Sequence, residues 1–413
     1  MSADYKYVII GGGAAGVSAA ETIRSNDKEG AMAVVSDEPY PLYSRVMLSK
    51  PNFFLGKIPF DQIYLKGKEW YEENHIEFLG SKKAVRLDPA AKTLSLSDGS
   101  QLRYEKLLIA TGVEARKWPV DGSSKKGIRY LRTLEDGKGI MEGIKTATKA
   151  VTIGGGFISF EMADLLNLAG LDTTAVIMDS YFWQPILDDR SGLMLENAMT
   201  KSGVKIVKNS QVKEVFGGES AEGIMLQNGE KIPCEMIVCG IGTTNPIGWL
   251  KECGIATNRG ILADEFMKTN LPDIWTAGDI AEYKDLLLEE NIEMGNWVSA
   301  REQGRIAGSN MAGKHEAFRF VSFYTTQGFG MSVAFVGDVN AGEGRIIVSR
   351  GSPEINSYAR LIIAGNGELV GATLINRTGD MNTIAKIIEK NMRVADRQKE
   401  LGDVDFDLKK LLG

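Results

Sequence analysis

Glycines near the start of the chain have the spacing of a loop that binds phosphate groups. Gly11, Gly13 and Gly16 follow an apolar run at residues 7–10 and precede a helix-forming stretch. In such a strand–turn–helix unit the first glycine permits a tight turn and the second lets the backbone approach a pyrophosphate, while the third lets helix and strand pack closely. The phosphates then lie at the positive N-terminal end of the helix. The spacing predicts a dinucleotide-binding site.

An acidic residue at a matching distance favours this interpretation over an ordinary glycine-rich loop. A second apolar run, residues 31–35, leads into Glu38. Glu38 lies roughly 20 residues beyond the third glycine, which is the spacing at which a carboxylate after the next strand bonds a ribose hydroxyl. A further apolar strand, residues 106–110, ends at Thr111 and Gly112 and is predicted to form a second wall for the dinucleotide.

The same arrangement occurs a second time along the chain. Gly154 and Gly156 stand between an apolar strand and a helix that is predicted to run to about Leu168. Ser159 replaces the third glycine, so we expect slightly looser packing of helix on strand. Asp179, roughly 20 residues further on, would bond the adenine ribose 2′-hydroxyl and repel a 2′-phosphate, which favours NAD over NADP. Two such units predict two dinucleotides.

The remaining pattern predicts the elements that position these turns. Residues 60–73 read as one amphipathic helix, and Asp98-Gly99 is typical of a hairpin turn. Beyond residue 319 the chain reads as strands followed by an amphipathic helix, which indicates a separate sheet-plus-helix domain. The predicted helices run over 188–202, 297–312 and 380–392, and the predicted C-terminal strands over 332–336, 344–349, 358–363 and 368–375.

The length and net charge of the chain limit the classes of function that it can have. At 413 residues the chain should form two or three domains. Its 48 basic and 54 acidic residues give a net charge of −6, which argues against nucleic acid or an anionic membrane as the main partner. No apolar run approaches the ~18 residues that span a bilayer, and the N-terminus does not read as a signal segment. We therefore expect a cytoplasmic protein.

The few cysteines and histidines argue against a metal centre. Cys234, Cys239 and Cys253 form no CxxC pair. The first two lie in or beside a predicted strand, where they are either buried small hydrophobes or, in the alternative, a redox pair. His75 and His315 are far apart in polar sequence and read as surface residues. We expect no intrinsic zinc or iron–sulfur site.

Together these motifs resemble the FAD-dependent reductases of the pyridine nucleotide-disulfide oxidoreductase superfamily. Within it they are most similar to the branch of ferredoxin and rubredoxin reductases and apoptosis-inducing factor. The likeness extends over nearly the whole chain, and its most specific piece is the run 38–50, which matches the branch's acidic-PxxPYxRxxLSK pattern. The other matching segments are 104–112, 130–133, 154–161, 276–279, and Trp297 followed by Ala300, Gln303 and Gly304.

This resemblance implies an α/β fold with two Rossmann-like dinucleotide-binding domains and a C-terminal α+β interface domain. The FAD-binding domain would be discontinuous and comprise residues 1–112 and 243–318. The NAD-binding domain would comprise residues 113–242, and the interface domain residues 319–413. The first glycine turn would hold FAD and the second NAD(H).

The resemblance also implies a role for each matched residue. Lys50 and Glu161 would pair beside the flavin N5 edge as catalytic residues, although from sequence alone Lys50 also reads as a solvated surface lysine. Asp279 would bond the ribityl chain or else cap the next segment, and Trp297 would approach the isoalloxazine or else pack in the core. The implied cofactor-binding residues are Gly11, Gly13, Ala14, Ala15, Gly16, Glu38, Arg45, Lys50, Val85, Ala110, Thr111, Gly112, Arg132, Gly154, Gly156, Phe157, Ile158, Glu161, Asp179, Gly240, Gly242, Gly278, Asp279 and Trp297.

Departures from the superfamily pattern bear on the electron acceptor. Disulfide reductases carry one or two cysteines near residues 40–50, where this chain has Tyr40, Tyr43 and Ser44, and their C-terminal His-Glu pair is missing. Gly295 stands where many ferredoxin reductases have a glutamate, and residues 324–327 replace a tryptophan-containing run. Thiol chemistry is therefore disfavoured, and electrons would leave the flavin directly.

These features predict an FAD-dependent NAD(H) oxidoreductase that passes electrons between NADH and a one-electron acceptor protein. The acceptor would be a ferredoxin, a rubredoxin or another iron–sulfur partner. The chain would act by itself, as a homo-oligomer, or as the NAD-reducing subunit of a larger metalloenzyme complex. The alternatives are an NADH oxidase or peroxidase, a disulfide reductase using Cys234 and Cys239, and a flavin-binding interaction or signalling protein.

Overall fold

The computed structural model describes residues 2–413, and the chain divides into two compact units. Unit 1 consists of Met1–Ser44, Asp61–Glu114 and Thr244–Ser322, and unit 2 consists of Arg45–Phe60, Ala115–Thr243 and Phe323–Gly413. Within the described residues no helix has the length and apolar character needed to cross a bilayer. The division into FAD-binding, NAD-binding and interface domains stays a prediction.

The core of unit 1 is a seven-stranded sheet built around the strand Ser2–Ile10. Residues 7–10 of this strand are buried, which is why they form a continuous apolar run. The strand pairs in parallel with Met32–Val35 on one side and Gln101–Ile109 on the other. The other strands of this sheet are Ile76–Leu79, Ala84–Asp88, Thr93–Leu96 and Ile274–Thr276, and a smaller sheet contains Ile261–Ala263, Ala281–Lys284 and Asn291–Glu293.

Two helices of unit 1, Ala14–Asn26 and Trp297–Met311, pack closely against each other. A Cβ atom on Gly304 would lie 2.0 Å from the carbonyl oxygen of Ala15, so only glycine permits this approach. Asn296 caps the start of the second helix, and its side chain accepts a hydrogen bond from the amide of Ser299. The helix predicted over 297–312 is therefore confirmed.

The segment 60–73 differs from the single helix that its pattern predicts. The structure has a 3₁₀ turn at Phe60–Ile63 and a separate α-helix at Lys68–Glu73. Between them Tyr64 forms an antiparallel bridge with Tyr43, and Gly67 is extended, with ψ of 177°. Extended backbone at these two points interrupts the helical hydrogen bonds, so the prediction of one helix is wrong.

Unit 2 contains a five-stranded parallel sheet with Lys149–Ile153 at its centre. This strand pairs with Asp172–Val176 on one side and Met236–Cys239 on the other. The helix Phe157–Leu168 follows it, as the glycine pattern predicts. The outer strands are Lys205–Val207 and Ile128–Arg129, the other helices are Leu134–Thr146 and Asp189–Lys201, and an antiparallel sheet adds Val212–Phe216, Gly223–Leu226 and Lys231–Pro233.

The C-terminal part of unit 2 is a five-stranded antiparallel sheet with the helix Met381–Glu389. Four of its strands lie where their alternation predicts them. The sequence pattern does not predict the fifth, Phe323–Gly328, because its sequence FYTTQG is largely polar. The strands in spatial order are Phe323–Gly328, Met331–Gly337, Leu369–Ile375, Ser357–Ile363 and Ile346–Ser352, and the short helices Pro51–Phe54 and Gln398–Gly402 also belong to this unit.

Candidate active site

The first glycine turn, in unit 1, has the close contacts that its spacing predicts. Gly11 has φ of +119°, and a Cβ atom there would lie 2.1 Å from the carbonyl oxygen of Ala110. A Cβ atom on Gly16 would lie 1.9 Å from the Gly11 carbonyl oxygen. A Cβ atom on Gly13 would instead have no described atom within 4 Å. The turn therefore leaves open the space beside the start of the helix, where a phosphate would bind.

Glu38 is the acidic residue that accompanies this turn. It lies three residues beyond the strand Met32–Val35 and is half-buried. The hydroxyl of Tyr43 donates a 2.8 Å hydrogen bond to its Oε2 atom, which orients the carboxylate. Sequence analysis assigns Tyr43 no contact, because a spacing of five residues in a loop does not indicate that two side chains meet.

Ala110, Thr111 and Gly112 follow the neighbouring strand Gln101–Ile109 directly. The Ala110 amide donates a 2.7 Å hydrogen bond to the carbonyl of Ile10, which joins this segment to the strand before the glycine turn. The Thr111 hydroxyl is buried and has no hydrogen-bond partner within residues 2–413. A buried polar atom without a partner costs free energy, so a polar group of a bound ligand would stabilise it.

Gly278, Asp279 and Trp297 also lie in unit 1. The Gly278 amide donates a 2.8 Å hydrogen bond to Oε1 of the buried Gln303, and the Gly278 backbone has φ of +84°. Asp279 is half-buried beside it. Trp297 packs against the hydrophobic core of the unit, which supports the core-packing alternative. Its approach to a flavin stays a prediction.

The second glycine turn, in unit 2, has the same close approach at its first glycine but a different third residue. Gly154 has φ of +111°, and a Cβ atom there would lie 2.4 Å from the carbonyl oxygen of Gly240. A Cβ atom on Gly156 would have no described atom within 4 Å. Ser159 is fully buried, and its hydroxyl donates a 2.8 Å hydrogen bond to the carbonyl of Ile153. A hydrogen bond therefore joins helix to strand here.

A cavity of about 610 Å³ lies beside the second turn. Asp179 lines it and is exposed, three residues after the strand Asp172–Val176. Trp183 is a lining residue that sequence analysis misses. Its amide donates a 2.8 Å hydrogen bond to the Gly155 carbonyl, and its φ is +58°. The other lining residues include Gly154, Gly156, Arg116, Trp118, Gly240 and Gly242.

Lys50 and Glu161 lie together in unit 2, although 111 residues separate them in sequence. Lys50 Nζ is 2.5 Å from Glu161 Oε1. Glu161 is buried on the helix Phe157–Leu168, and Lys50 directly precedes the helix Pro51–Phe54. Thr326, to which sequence analysis assigns no site role, donates its hydroxyl to the same Oε1 atom at 2.6 Å. The carboxylate therefore has two donors on one oxygen.

The remaining predicted residues occupy three places. Arg45 and Arg132 meet in unit 2, where Arg45 Nη1 donates a 2.6 Å hydrogen bond to the Arg132 carbonyl. Phe157 and Ile158 begin the helix after the second turn, in the positions that Ala14 and Ala15 have after the first. Val85 is 47% exposed in unit 1 and lines a different cavity. Cofactor contacts of these residues stay predictions.

The cysteines favour the buried-hydrophobe interpretation over the redox pair. Cys234 and Cys239 pack in one hydrophobic core of unit 2. Burial raises the pKa of each thiol to about 12. Because thiolate is the reactive form, these two residues are poorly suited to disulfide chemistry near neutral pH.

Comparison with known proteins shows which family this chain resembles. A family model described as pyridine nucleotide-disulphide oxidoreductase matches residues 5–304. The chain is 29% identical over 397 residues to the nitrite reductase [NAD(P)H] of Bacillus subtilis, a match that covers 95% of the chain and 48% of that protein. The chain therefore spans about half the length of this relative.

A second relative has nearly the same length as this chain. It is the biphenyl dioxygenase system ferredoxin–NAD(+) reductase component of Paraburkholderia xenovorans, 27% identical over 404 residues, with 98% of the chain and 97% of the relative covered. Among solved structures, the covalent putidaredoxin reductase–putidaredoxin complex matches with a TM-score of 0.93 and 25% identity, and covers 100% of this chain and 99% of that chain. This likeness confirms the predicted fold class.

Proposed function

Because the chain belongs to the pyridine nucleotide-disulphide oxidoreductase family, as its motifs predict, we propose that it passes electrons between NADH and a one-electron acceptor protein. FAD and NAD(H) are the cofactors of this family. The acceptor would be an iron–sulfur or rubredoxin-like protein. A ferredoxin–NAD(+) reductase component of matching length and the similar putidaredoxin reductase–putidaredoxin complex support this partner class.

The residues of both turns fit these cofactors. In unit 1 the open space at Gly13 suits a pyrophosphate, and the buried hydroxyl of Thr111 lacks a hydrogen-bond partner within residues 2–413. In unit 2 the open space at Gly156 and the exposed carboxylate of Asp179 line one cavity, which suits the adenosine end of NAD(H). We therefore assign FAD to the first turn and NAD(H) to the second.

The observation that carries the proposal is the Lys50–Glu161 pair. The Glu161 side chain is 8% exposed and the Lys50 side chain 26% exposed, so the ammonium is the more accessible member. Bound FAD would supply the hydride-accepting and one-electron-donating chemistry that this function needs. Lys50 would stabilise negative charge that develops at the bound cofactor. Glu161 would hold the ammonium in place and moderate its charge.

Direct electron transfer from the cofactor to a partner protein is consistent with the burial of the Cys234 and Cys239 thiols. The chain has three cysteines, and the pKa values of Cys234 and Cys239 are raised to about 12 by burial. Neither thiol is suited to relay electrons, so a protein acceptor would receive them from the cofactor. Because the NADH pool of the cell would supply the electrons, we also propose a cytoplasmic location, which cell fractionation tests.

Anaerobic stopped-flow measurement of flavin reduction by NADH tests the proposed role of the pair. We expect Lys50→Ala and Glu161→Ala each to slow flavin reduction by about 100-fold, because removal of one preorganised charge-stabilising group has effects of that order. Lys57→Ala is the matched control, since Lys57 is exposed in the same segment of the chain. Its rate should equal that of the unmodified protein.

Other outcomes of this experiment would contradict the proposal. Unchanged rates in both pair variants would mean that the two residues are misassigned. Rapid turnover with oxygen or peroxide and no added partner would favour an NADH oxidase or peroxidase. Slow reduction with a long-lived flavin–NAD charge-transfer band would favour an interaction or signalling protein.

The nitrite reductase of Bacillus subtilis favours a second candidate function. This chain matches 48% of that longer protein, so in one relative the matching part belongs to a larger polypeptide. By analogy, this chain would be the NAD-reducing subunit of a larger metalloenzyme complex. Purification from the native organism tests the idea, because recovery solely as a free monomer or homodimer would exclude it.

A further inference from the structure

Glu161 accepts hydrogen bonds from two side chains on a single oxygen. Lys50 Nζ lies 2.5 Å and Thr326 Oγ1 2.6 Å from its Oε1 atom. The three residues come from a loop, the helix Phe157–Leu168 and the strand Phe323–Gly328, all within unit 2. The proposed role of the pair in electron transfer uses Lys50 and Glu161 and leaves the contribution of Thr326 unexplained.

Burial makes the Thr326 hydroxyl important to the carboxylate. Thr326 and Glu161 are both buried, and a buried carboxylate costs free energy unless donors satisfy it. A hydrogen bond to an ionised group is stronger than one between neutral groups. The threonine adds no charge, so its hydroxyl holds the carboxylate without competing with Lys50 electrostatically. Two donors on one oxygen also fix the direction in which the carboxylate faces the lysine.

A second contact, made by the residue directly after the strand that carries Thr326, fixes this strand against the helix that carries Glu161. The amide of Phe329 donates a 3.0 Å hydrogen bond to Oδ1 of Asp164, one helical turn beyond Glu161. Desolvation by burial raises the pKa of Asp164. Gly328 allows this close approach, since a Cβ atom there would lie 2.7 Å from the Phe160 ring. The strand is therefore held at two points, and the Thr326 hydroxyl is oriented before any ligand binds.

We propose that Thr326 is a positioning residue for the Lys50–Glu161 pair, donating its hydroxyl to Glu161 and thereby fixing the place of the Lys50 ammonium. The inference rests on the proposed electron-transfer function, in which Lys50 stabilises negative charge at bound FAD. Thr326 acts through Glu161, so removal of its hydroxyl should matter only while the carboxylate is present.

A double-mutant cycle tests this dependence. Thr326→Val keeps the shape of the side chain and removes the donor, Thr326→Ser keeps the donor, and Glu161→Ala removes the acceptor. Thr325→Val is the matched control, because Thr325 is the exposed neighbour on the same strand. The measurements are the rate of flavin reduction by NADH and the midpoint potential of bound FAD.

We expect Thr326→Val to slow flavin reduction by about 10-fold, as loss of a hydrogen bond to a charged group implies. The midpoint potential should fall by about 30 mV, which corresponds to a tenfold change in the equilibrium constant of a two-electron couple. Thr326→Ser and Thr325→Val should stay within about twofold of the unmodified protein. In the Glu161→Ala background, Thr326→Val should change neither quantity by more than about twofold.

An equal effect of Thr326→Val with and without Glu161 would overturn the inference, since it would indicate a merely structural role. The inference would also be overturned if Thr326→Val left the rate of flavin reduction unchanged while Glu161→Ala slowed it. That outcome would leave the proposed function intact. If Glu161→Ala and Lys50→Ala themselves have no effect, the proposed role of the pair fails and this inference fails with it.

A measurement without FAD keeps the inference testable if a variant loses the cofactor. Reductive methylation with ¹³C labels the lysine ammonium groups, and the Lys50 signal is identified by its loss in Lys50→Arg. We expect Thr326→Val to shift this signal in the flavin-free protein and Thr325→Val to leave it in place. An unshifted Lys50 signal in Thr326→Val would contradict the positioning role.

Discussion

The turn at residues 11–16 and the turn at residues 154–159 begin a helix with the same spacing, but they join helix to strand differently. In the first, Gly16 approaches the Gly11 carbonyl so closely that a Cβ atom would lie 1.9 Å from the oxygen. In the second, the hydroxyl of Ser159 donates a hydrogen bond to the Ile153 carbonyl. Steric contact closes the first turn, and a hydrogen bond closes the second.

The acidic residues that follow the two turns also differ, in their burial and in their hydrogen bonding. Glu38 is half-buried and accepts a hydrogen bond from Tyr43, whereas Asp179 is exposed at the edge of a cavity. A carboxylate held by a neighbour is preorganised for a ligand that stays bound. An exposed carboxylate suits a ligand that binds and dissociates. The difference matches the assignment of FAD to the first turn and NAD(H) to the second.

Substitution of Gly16 by alanine should break the first turn and produce the largest effect. The added Cβ atom would overlap the Gly11 carbonyl, and forced overpacking costs about 1–3 kcal/mol and occasionally more. Urea unfolding and FAD content measure the loss. Gly13→Ala is the matched control for stability, because a Cβ atom there has no described atom within 4 Å. Equal stability of Gly16→Ala and the unmodified protein would contradict the steric closure.

Substitution of Asp179 by alanine should weaken the second site selectively. Loss of a hydrogen bond from a ribose hydroxyl to a charged group is expected to raise KM for NADH by about 10-fold with kcat little changed. The preference for NADH over NADPH should fall because the repulsive carboxylate is gone. Steady-state kinetics with both nucleotides check this, and an unchanged preference would remove Asp179 from the site.

Substitution of Tyr43 by phenylalanine sharpens the comparison of the two acids. It removes the hydroxyl that donates to the Glu38 carboxylate, and part of the roughly 1.5–3 kcal/mol that a hydrogen bond to a charged group contributes would be lost from the binding of FAD. We expect FAD to bind about fivefold more weakly while the affinity for NADH is unchanged. Titration of the flavin-free protein with FAD measures the change. Equal FAD affinity would show that the orientation of Glu38 does not matter.

Substitution of Ser159 by alanine should have the smallest effect. The Ile153 carbonyl keeps a second donor, the Gly240 amide at 2.8 Å, so no acceptor is left without a partner. We expect the free energy of unfolding to fall by about 0.5–1 kcal/mol, as measured in urea. A loss as large as that of Gly16→Ala would mean that the two turns are closed by equally strict contacts.

Elements with a strong local signal are predicted well from sequence. The helices after both turns, the helix Asp189–Lys201 and four C-terminal strands lie where periodicity and glycine spacing place them. Their residues carry the pattern of the face that they bury. The same reasoning fails at 60–73, where Gly67 and the bridge at Tyr64 interrupt a helical pattern.

Sequence analysis misses Thr326 and Trp183, whose contacts are with segments distant in the sequence and match no motif. The strand Phe323–Gly328 is polar, so its pattern does not indicate that Thr326 is buried. Trp183 contacts the second turn through its backbone amide, and a positive φ at tryptophan carries no signal in the sequence. The burial of Thr326 and the backbone contact of Trp183 both depend on the segments that pack against them.

The sequence by itself determines the two glycine turns, the acidic residues after them and the lack of a cysteine near residues 40–50. These are local features, because the chain needs particular residue types wherever the backbone turns tightly or approaches a phosphate. The resemblance already pairs Lys50 with Glu161, but only the tertiary structure decides that Thr326 joins them at the same carboxylate oxygen. A periodic pattern tells which face of an element is buried, but the residue that faces it is set by the packing of elements more than 100 residues apart.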